Sequence, residues 1–152
     1  MRRAGTILMC LLAILWTVFI WSNSAKPATE SAGQSLQILE QIQGFLLSLG
    51  FDQEILHTLV RKAAHVIEFA LLSILWTAFA GRQWSHDRKF VLLLPFALCL
   101  MTAVIDETIQ LGFEGRAGMI QDLWVDLSGV VIGMLCAVCV ARFCKLVGRR
   151  KR

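Results

Sequence analysis

His57, Arg61, His65 and Glu68 recur at i, i+4, i+8 and i+11, which puts all four on one face of a helix. Further on, Asp106 and Glu107 stand side by side, and Gln110 follows Asp106 by one turn. Arg116 comes next. Asp122 and Asp126 then begin a stripe that continues through Gly129 and Gly133. Three kinds of chemistry fit these residues. His65 with Glu68 or Glu107 can serve as an acid–base pair, and neighbouring carboxyls can divide acid and base roles. Asp and Glu oxygens suit a divalent cation such as Ca²⁺ or Mg²⁺, and His65 with Glu68 can hold Zn²⁺. A salt-bridged network, for instance Arg116 on Asp122 or Asp106, can instead do no more than lock helices together. No serine or cysteine stands beside a base as an activated nucleophile would. The candidate catalytic residues are His65, Glu68, Asp106 and Glu107. The candidate binding residues are Arg61, Gln110, Arg116, Asp122 and Asp126. The residues leave the identity of any metal open.

The elements that must carry these groups are apolar. Hydrophobic residues make up 57% of the chain and the mean hydropathy is +0.65, above the 45–50% apolar content usual for a soluble domain. Four stretches, about 5–21, 63–80, 90–111 and 123–141, are long and apolar enough to cross a bilayer. Because a backbone in lipid must satisfy itself, they are predicted to be helices. The expected fold is therefore all-α: one domain over 1–152, an integral membrane bundle of four transmembrane helices. Leu36, Leu39, Ile42, Leu46 and Leu49 recur at helical spacing among polar residues, predicting an extra amphipathic helix over about 34–49 on the outer face. Asp52 can cap the second span, Gly81 can end it, and Pro95 can kink the third. Ser22-Asn-Ser-Ala25 gives the first segment small residues for signal cleavage, but its apolar run exceeds the usual signal length, which favours a retained span.

Charge sets the orientation. The net charge is +4, yet its placement excludes a nucleic-acid footprint. Arg2, Arg3, Arg82, Arg88, Lys89 and the six basic residues from Arg142 onward fall on one side, which makes 11 of the 15. Lys26, Arg61, Lys62 and Arg116 fall on the other. The positive-inside rule puts both termini in the cytoplasm. The basic C-terminal segment can also touch anionic lipid. Cys136 and Cys139 form a C-x-x-C with no second ligand pair, so all five cysteines read as packing residues. His57 and His86 read as solvated surface residues. Trp16, Trp21, Trp76, Trp84 and Trp124 lie near span ends and read as interfacial anchors.

With this topology three spans bring polar groups to the same outer third of the membrane. Isolated charges there are costly, so the groups are expected to converge. The carboxyls outnumber the nearby cations, and the surplus calls for a proton, a metal or a cationic ligand.

At these positions the chain resembles the VanZ-like family of bacterial membrane proteins. The matching motifs are Arg61-Lys62-x-x-His65-x-x-Glu68-Phe69, Asp106-Glu107-x-x-Gln110, Arg116 with Asp122 six residues on, and Gly129-x-x-x-Gly133. They cover residues 61–133, about half the chain. Asp126 departs from the family's more frequent Asn, and Phe69 from its frequent Tyr. The resemblance implies a multi-pass protein of the bacterial cytoplasmic membrane with a cell-envelope role. The founding member is linked to resistance to teicoplanin, a glycopeptide that targets peptidoglycan precursors. The implied partners are membrane lipid or a lipid-linked envelope precursor. Binding or modification of such a headgroup remains one expectation, and a non-catalytic accessory protein with a locking cluster remains the other. Transport is less suited to so few spans.

The basic-residue asymmetry makes the topology testable. Reporter fusions at Gly33 and at Arg152 should report opposite sides of the membrane. Two reports from the same side would overturn the assignment.

Overall fold

A computed structural model describes residues 2–26, 53–113 and 120–150. The amphipathic stretch 34–49, the capping residue Asp52 and the loop residue Arg116 lie outside the described residues, as does the side chain of His57. The ordered elements are four helices: α1 (Arg2–Ser24), α2 (Gln53–Gln83), α3 (Arg88–Gln110) and α4 (Ile120–Arg150). Each is long and apolar enough to cross a membrane, so the chain is a multi-pass membrane protein. Among the described residues there is no strand. α2 and α4 have 31 residues each, about 46 Å at helical rise, which exceeds a hydrocarbon core of about 30 Å.

The turn between α2 and α3 is tighter than the sequence suggests. α2 continues through Gly81, and α3 opens at Arg88. Asp87 caps α3, its carboxylate accepting from the backbone N–H of Lys89 and Phe90 at 3.0 and 3.2 Å. The rings of Phe79, Trp84 and Phe90 meet around this turn, the first pair edge-to-face and the second tilted, with centroids 5.9 and 4.9 Å apart. α3 runs on through Pro95, which is buried two turns inside it.

α2 is the hub, touching α1, α3 and α4, while α3 also meets both α1 and α4. Each helix turns a narrow stripe inward. On α3 it comprises Pro95, Cys99, Thr102, Ala103, Asp106 and Gln110. The apolar centre is Ile20, Phe69, Leu72, Cys99, Ala103 and Val130. Leu8, Leu11, Leu15, Leu93, Leu135 and Phe143 face outward, as lipid requires. Trp16, Trp21 and Trp76 differ from the interfacial expectation, since they pack against the core. Trp16 Nε1–H donates to the Glu68 carbonyl at 2.9 Å, and Trp21 Nε1–H to the Thr102 carbonyl at 3.3 Å. Trp124 does face outward. Cys99 is a core residue, but Cys136, Cys139 and Cys144 are exposed on α4 and brace nothing.

The closest approach is between α2 and α4. These helices run in the same direction, and their contacts advance in step: Arg61 with Asp122, His65 with Asp126, Val66 with Gly129 and Ala70 with Gly133. A Cβ at Gly129 would collide with the Val66 carbonyl oxygen, and one at Gly133 with the Ala70 carbonyl oxygen. Backbone atoms cannot swing away, so only glycine fits. Gly129→Ala and Gly133→Ala should each lower stability by about 1–3 kcal/mol. Gly81→Ala meets nothing within 4 Å and should be neutral or stabilising by up to about 1 kcal/mol. Thermal midpoints of the three variants in detergent check the ordering, and equal midpoints would refute it.

Candidate functional site

The inward stripes change character at one end of the bundle. On α3 the same line that buries Cys99 and Ala103 continues into Asp106 and Gln110. On α4 the glycine stripe leads back to Asp126. The site is thus the end of the core where apolar side chains give way to polar ones.

Asp106 and Asp126 are both 0% exposed and Gln110 is 6% exposed. Their carboxyls are as deep as the aliphatic core. His65 Nδ1 lies 3.1 Å from Asp126 Oδ1, which ties α2 to α4 one turn beyond the glycine contact. Gln110 Nε2–H donates to Asp106 Oδ2 at 2.9 Å, fixing that carboxyl along α3. His65, Asp106 and Asp126 each offer a ligand atom, and these atoms lie within 4.8 Å of one another. Asp126 Oδ2 is buried without a hydrogen-bond partner among the described residues.

Glu68, one turn deeper on α2 than His65, takes its partner from α1. Asn23 Nδ2–H donates to Glu68 Oε1 at 3.1 Å. Lys26 Nζ in turn donates to Asn23 Oδ1 at 3.1 Å. At the rim, Arg61 Nη2 is 4.0 Å from Asp122 Oδ2, an attraction too long for a hydrogen bond. Arg61 is about half exposed, so this pair contributes at most about 1 kcal/mol. Glu107, beside Asp106, is half-buried.

The structure therefore brings together His65, Asp106 and Asp126, with Gln110 against Asp106 and Glu68 nearby on the same helix as His65. Arg61 and Asp122 stand at the rim. Glu68 is engaged by Asn23, so it is Asp106 and Asp126 that group with His65, a different pairing from the Zn²⁺ set suggested by His65 with Glu68. Sequence reasoning missed α1. Its inward residues Ala13, Ile20 and Ser24 recur at helical spacing. Asn23 stands at the end of that stripe, at the depth of Glu68. An amide closing a charge-free span is the signal that could have found it.

Chemically, the arrangement is a buried cluster of two carboxyls and an imidazole, with a lysine and an arginine toward the same end. It can hold a proton or a cation inside and meet an anionic group at the rim.

A protein-family model described as VanZ/LLP1 matches residues 9–142, well over half of the chain. Comparison with curated proteins and with solved structures returns no match.

Buried partners must depend on each other. His65→Ala leaves Asp126 uncompensated and should cost about 3–5 kcal/mol. Asp126→Ala removes the same pairing from the other side. Adding it to His65→Ala should cost far less than the sum of the two single changes. Gln110→Ala should cost a smaller amount, about 1–3 kcal/mol. A double-mutant cycle on thermal or denaturant unfolding measures the coupling, and strict additivity would show that the pair does not interact.

Proposed function

The chain belongs to the VanZ/LLP1 family, and from that premise we propose that it is a bacterial cell-envelope membrane protein whose polar cluster engages the headgroup of an envelope lipid or lipid-linked peptidoglycan precursor at the outer leaflet. One observation carries this reading. The buried charge is arranged as an acidic interior, with Asp106 and Asp126 fully enclosed, behind a rim where Arg61 faces Asp122 and Lys26 lies at the same end. A headgroup joins an anionic phosphate to polar groups that need donors and acceptors. The rim suits the phosphate, and the interior suits what lies beyond it.

In this reading Lys26 and Arg61 attract the headgroup, while Asn23 holds Glu68 in one orientation. His65 and Asp126 form the acid–base or ligand pair, and Gln110 orients Asp106. Engagement of a precursor headgroup would alter what a glycopeptide of the teicoplanin type meets at the cell surface, and this is how the chain would contribute to resistance. A second reading has its own support. The His65–Asp126 contact, the Gln110–Asp106 bond and the glycine packing would also serve a non-catalytic accessory protein whose cluster locks the bundle.

Glu68→Gln separates the two readings. It keeps the shape and an acceptor for Asn23 while removing a carboxylate. A lock loses little from this change, so abundance and function should then survive together. A working site should lose function at normal abundance. The measurements are membrane abundance, envelope lipid and precursor profiles, and teicoplanin susceptibility in cells carrying Glu68→Gln or Glu107→Gln. The expected result is a changed profile and lowered resistance with wild-type protein levels. Unchanged profiles and susceptibility in both variants would defeat the headgroup reading.

A further inference from the structure

The grouping of His65, Asp106 and Asp126 carries more than an acidic cluster would. It comes from three helices, it mixes one imidazole nitrogen with two carboxylates, and it is enclosed. From this geometry we propose that these three residues form the protein side of a divalent-cation site, taking a first-row ion such as Zn²⁺ or Mn²⁺. The proposal deepens the headgroup reading above, since it supplies the cluster with the ion that the headgroup would meet.

The distances support it. Ligand atoms on one Zn²⁺ at about 2.0–2.2 Å stand roughly 3–3.5 Å from each other. His65 Nδ1 and Asp126 Oδ1 are already 3.1 Å apart. All three ligand atoms lie within 4.8 Å of one another, so small side-chain rotations complete the set. Charge supports it as well. A divalent cation neutralises two carboxylates and leaves His65 a neutral ligand, so the enclosed group has no net charge. Asp126 Oδ2 adds a buried acceptor to the same set. It is a fully buried carboxylate oxygen with no hydrogen-bond partner among the described residues, on a side chain that is 0% exposed. Such an atom is costly unless something outside the described side chains takes its lone pairs.

The groups around the three residues also fit. Gln110 donates to Asp106 Oδ2 at 2.9 Å, the kind of bond that aims a ligating carboxylate. Three protein ligands leave at least one position open, as in sites where a metal meets water or substrate. A mixed nitrogen–oxygen set favours Zn²⁺ or Mn²⁺ over Ca²⁺, which takes oxygen ligands. Among the described residues, the exposed cysteines of α4 stand apart from this grouping. Cys136 and Cys139 are exposed on the outward face of α4.

The test uses the full chain, purified in detergent, stripped with a chelator and dialysed against Zn²⁺ or Mn²⁺. The expected content is about one equivalent per chain, with a metal-dependent rise in the thermal midpoint. His65→Gln and Asp126→Asn should each weaken binding at least about tenfold. Cys136→Ser with Cys139→Ser should leave binding unchanged. Co²⁺ in the site should give visible bands without thiolate charge-transfer absorption. Should the His65 or Asp126 variants fail to fold, stoichiometry and Co²⁺ spectra of the cysteine-pair variant decide alone. Absence of binding by that variant, or binding that follows the cysteines, overturns the proposal. A separate arm measures capture of vesicles containing phosphate-headgroup lipid with and without chelator. Vesicle capture that persists without any metal binding ends the cation site and leaves the headgroup reading standing. Metal binding without vesicle capture does the reverse.

Discussion

The approach of α2 to α4 is the constraint on which the rest of the bundle depends. In a bilayer there is no hydrophobic drive between helices, so contact must come from close packing and hydrogen bonds. Gly129 and Gly133 let α4 rest directly on the carbonyls of Val66 and Ala70. That places the two backbones in one register, and the register then delivers His65 to Asp126 and Arg61 toward Asp122. The glycines and the polar pair are one device. A spacer at Gly129 would push the helices apart, and His65 would lose Asp126 before any polar residue had been altered.

The site needs no separate scaffold, because it is the continuation of the core. The α3 stripe runs from Pro95 through Cys99 and Ala103 to Asp106 and Gln110 without changing face. An ordinary soluble protein buries its aliphatic groups and exposes its carboxylates. Here Leu11, Leu15 and Leu135 are outside while Asp106 and Asp126 are inside. In lipid this inversion is what the solvent demands, and it makes every enclosed charge expensive. The lone acceptor of a locking network would be weak evidence of stability, since desolvation offsets the attraction. Of the two enclosed carboxyls, Asp126 meets His65 and Asp106 accepts from Gln110.

Much of this was legible in the sequence, and the reasons differ by element. The four spans follow from length and apolarity alone, and the VanZ-like motifs identified the family that the match over residues 9–142 assigns. The grouping of His65 with Asp126 was legible as a shared depth, since helical rise converts residue number into position. The partner of Glu68 was not. Depth says which residues lie in one plane but not how each helix is rotated, and rotation decides whether Glu68 faces Asp106 or Asn23. The tryptophans failed for a related reason. Trp16 and Trp21 sit near a span end, as interfacial anchors do, but their helix is rotated so that their indoles reach Glu68 and Thr102 carbonyls. The exposed Cys136 and Cys139 show the converse: a periodic stripe inside a span need not face another helix.

α1 then has a role beyond filling the bundle. It carries no Asp, Glu, His, Lys or Arg between Arg3 and Lys26, so no ion pair from that stretch holds it. Among the described residues, its hydrogen bonds to the other helices include two indole donors and one amide. The indole bonds end on backbone carbonyls, which accept whatever the state of the site. The amide bond of Asn23 ends on the Glu68 carboxyl, and its strength depends on that group's charge and occupancy, because hydrogen bonds to ionised acceptors are roughly twice as strong as neutral ones. The last turn of α1, through Asn23, and Lys26 just beyond it are therefore tied to the chemistry of Glu68. A change at Glu68 acts first on the Lys26–Asn23 pair and only weakly on the packed indoles below.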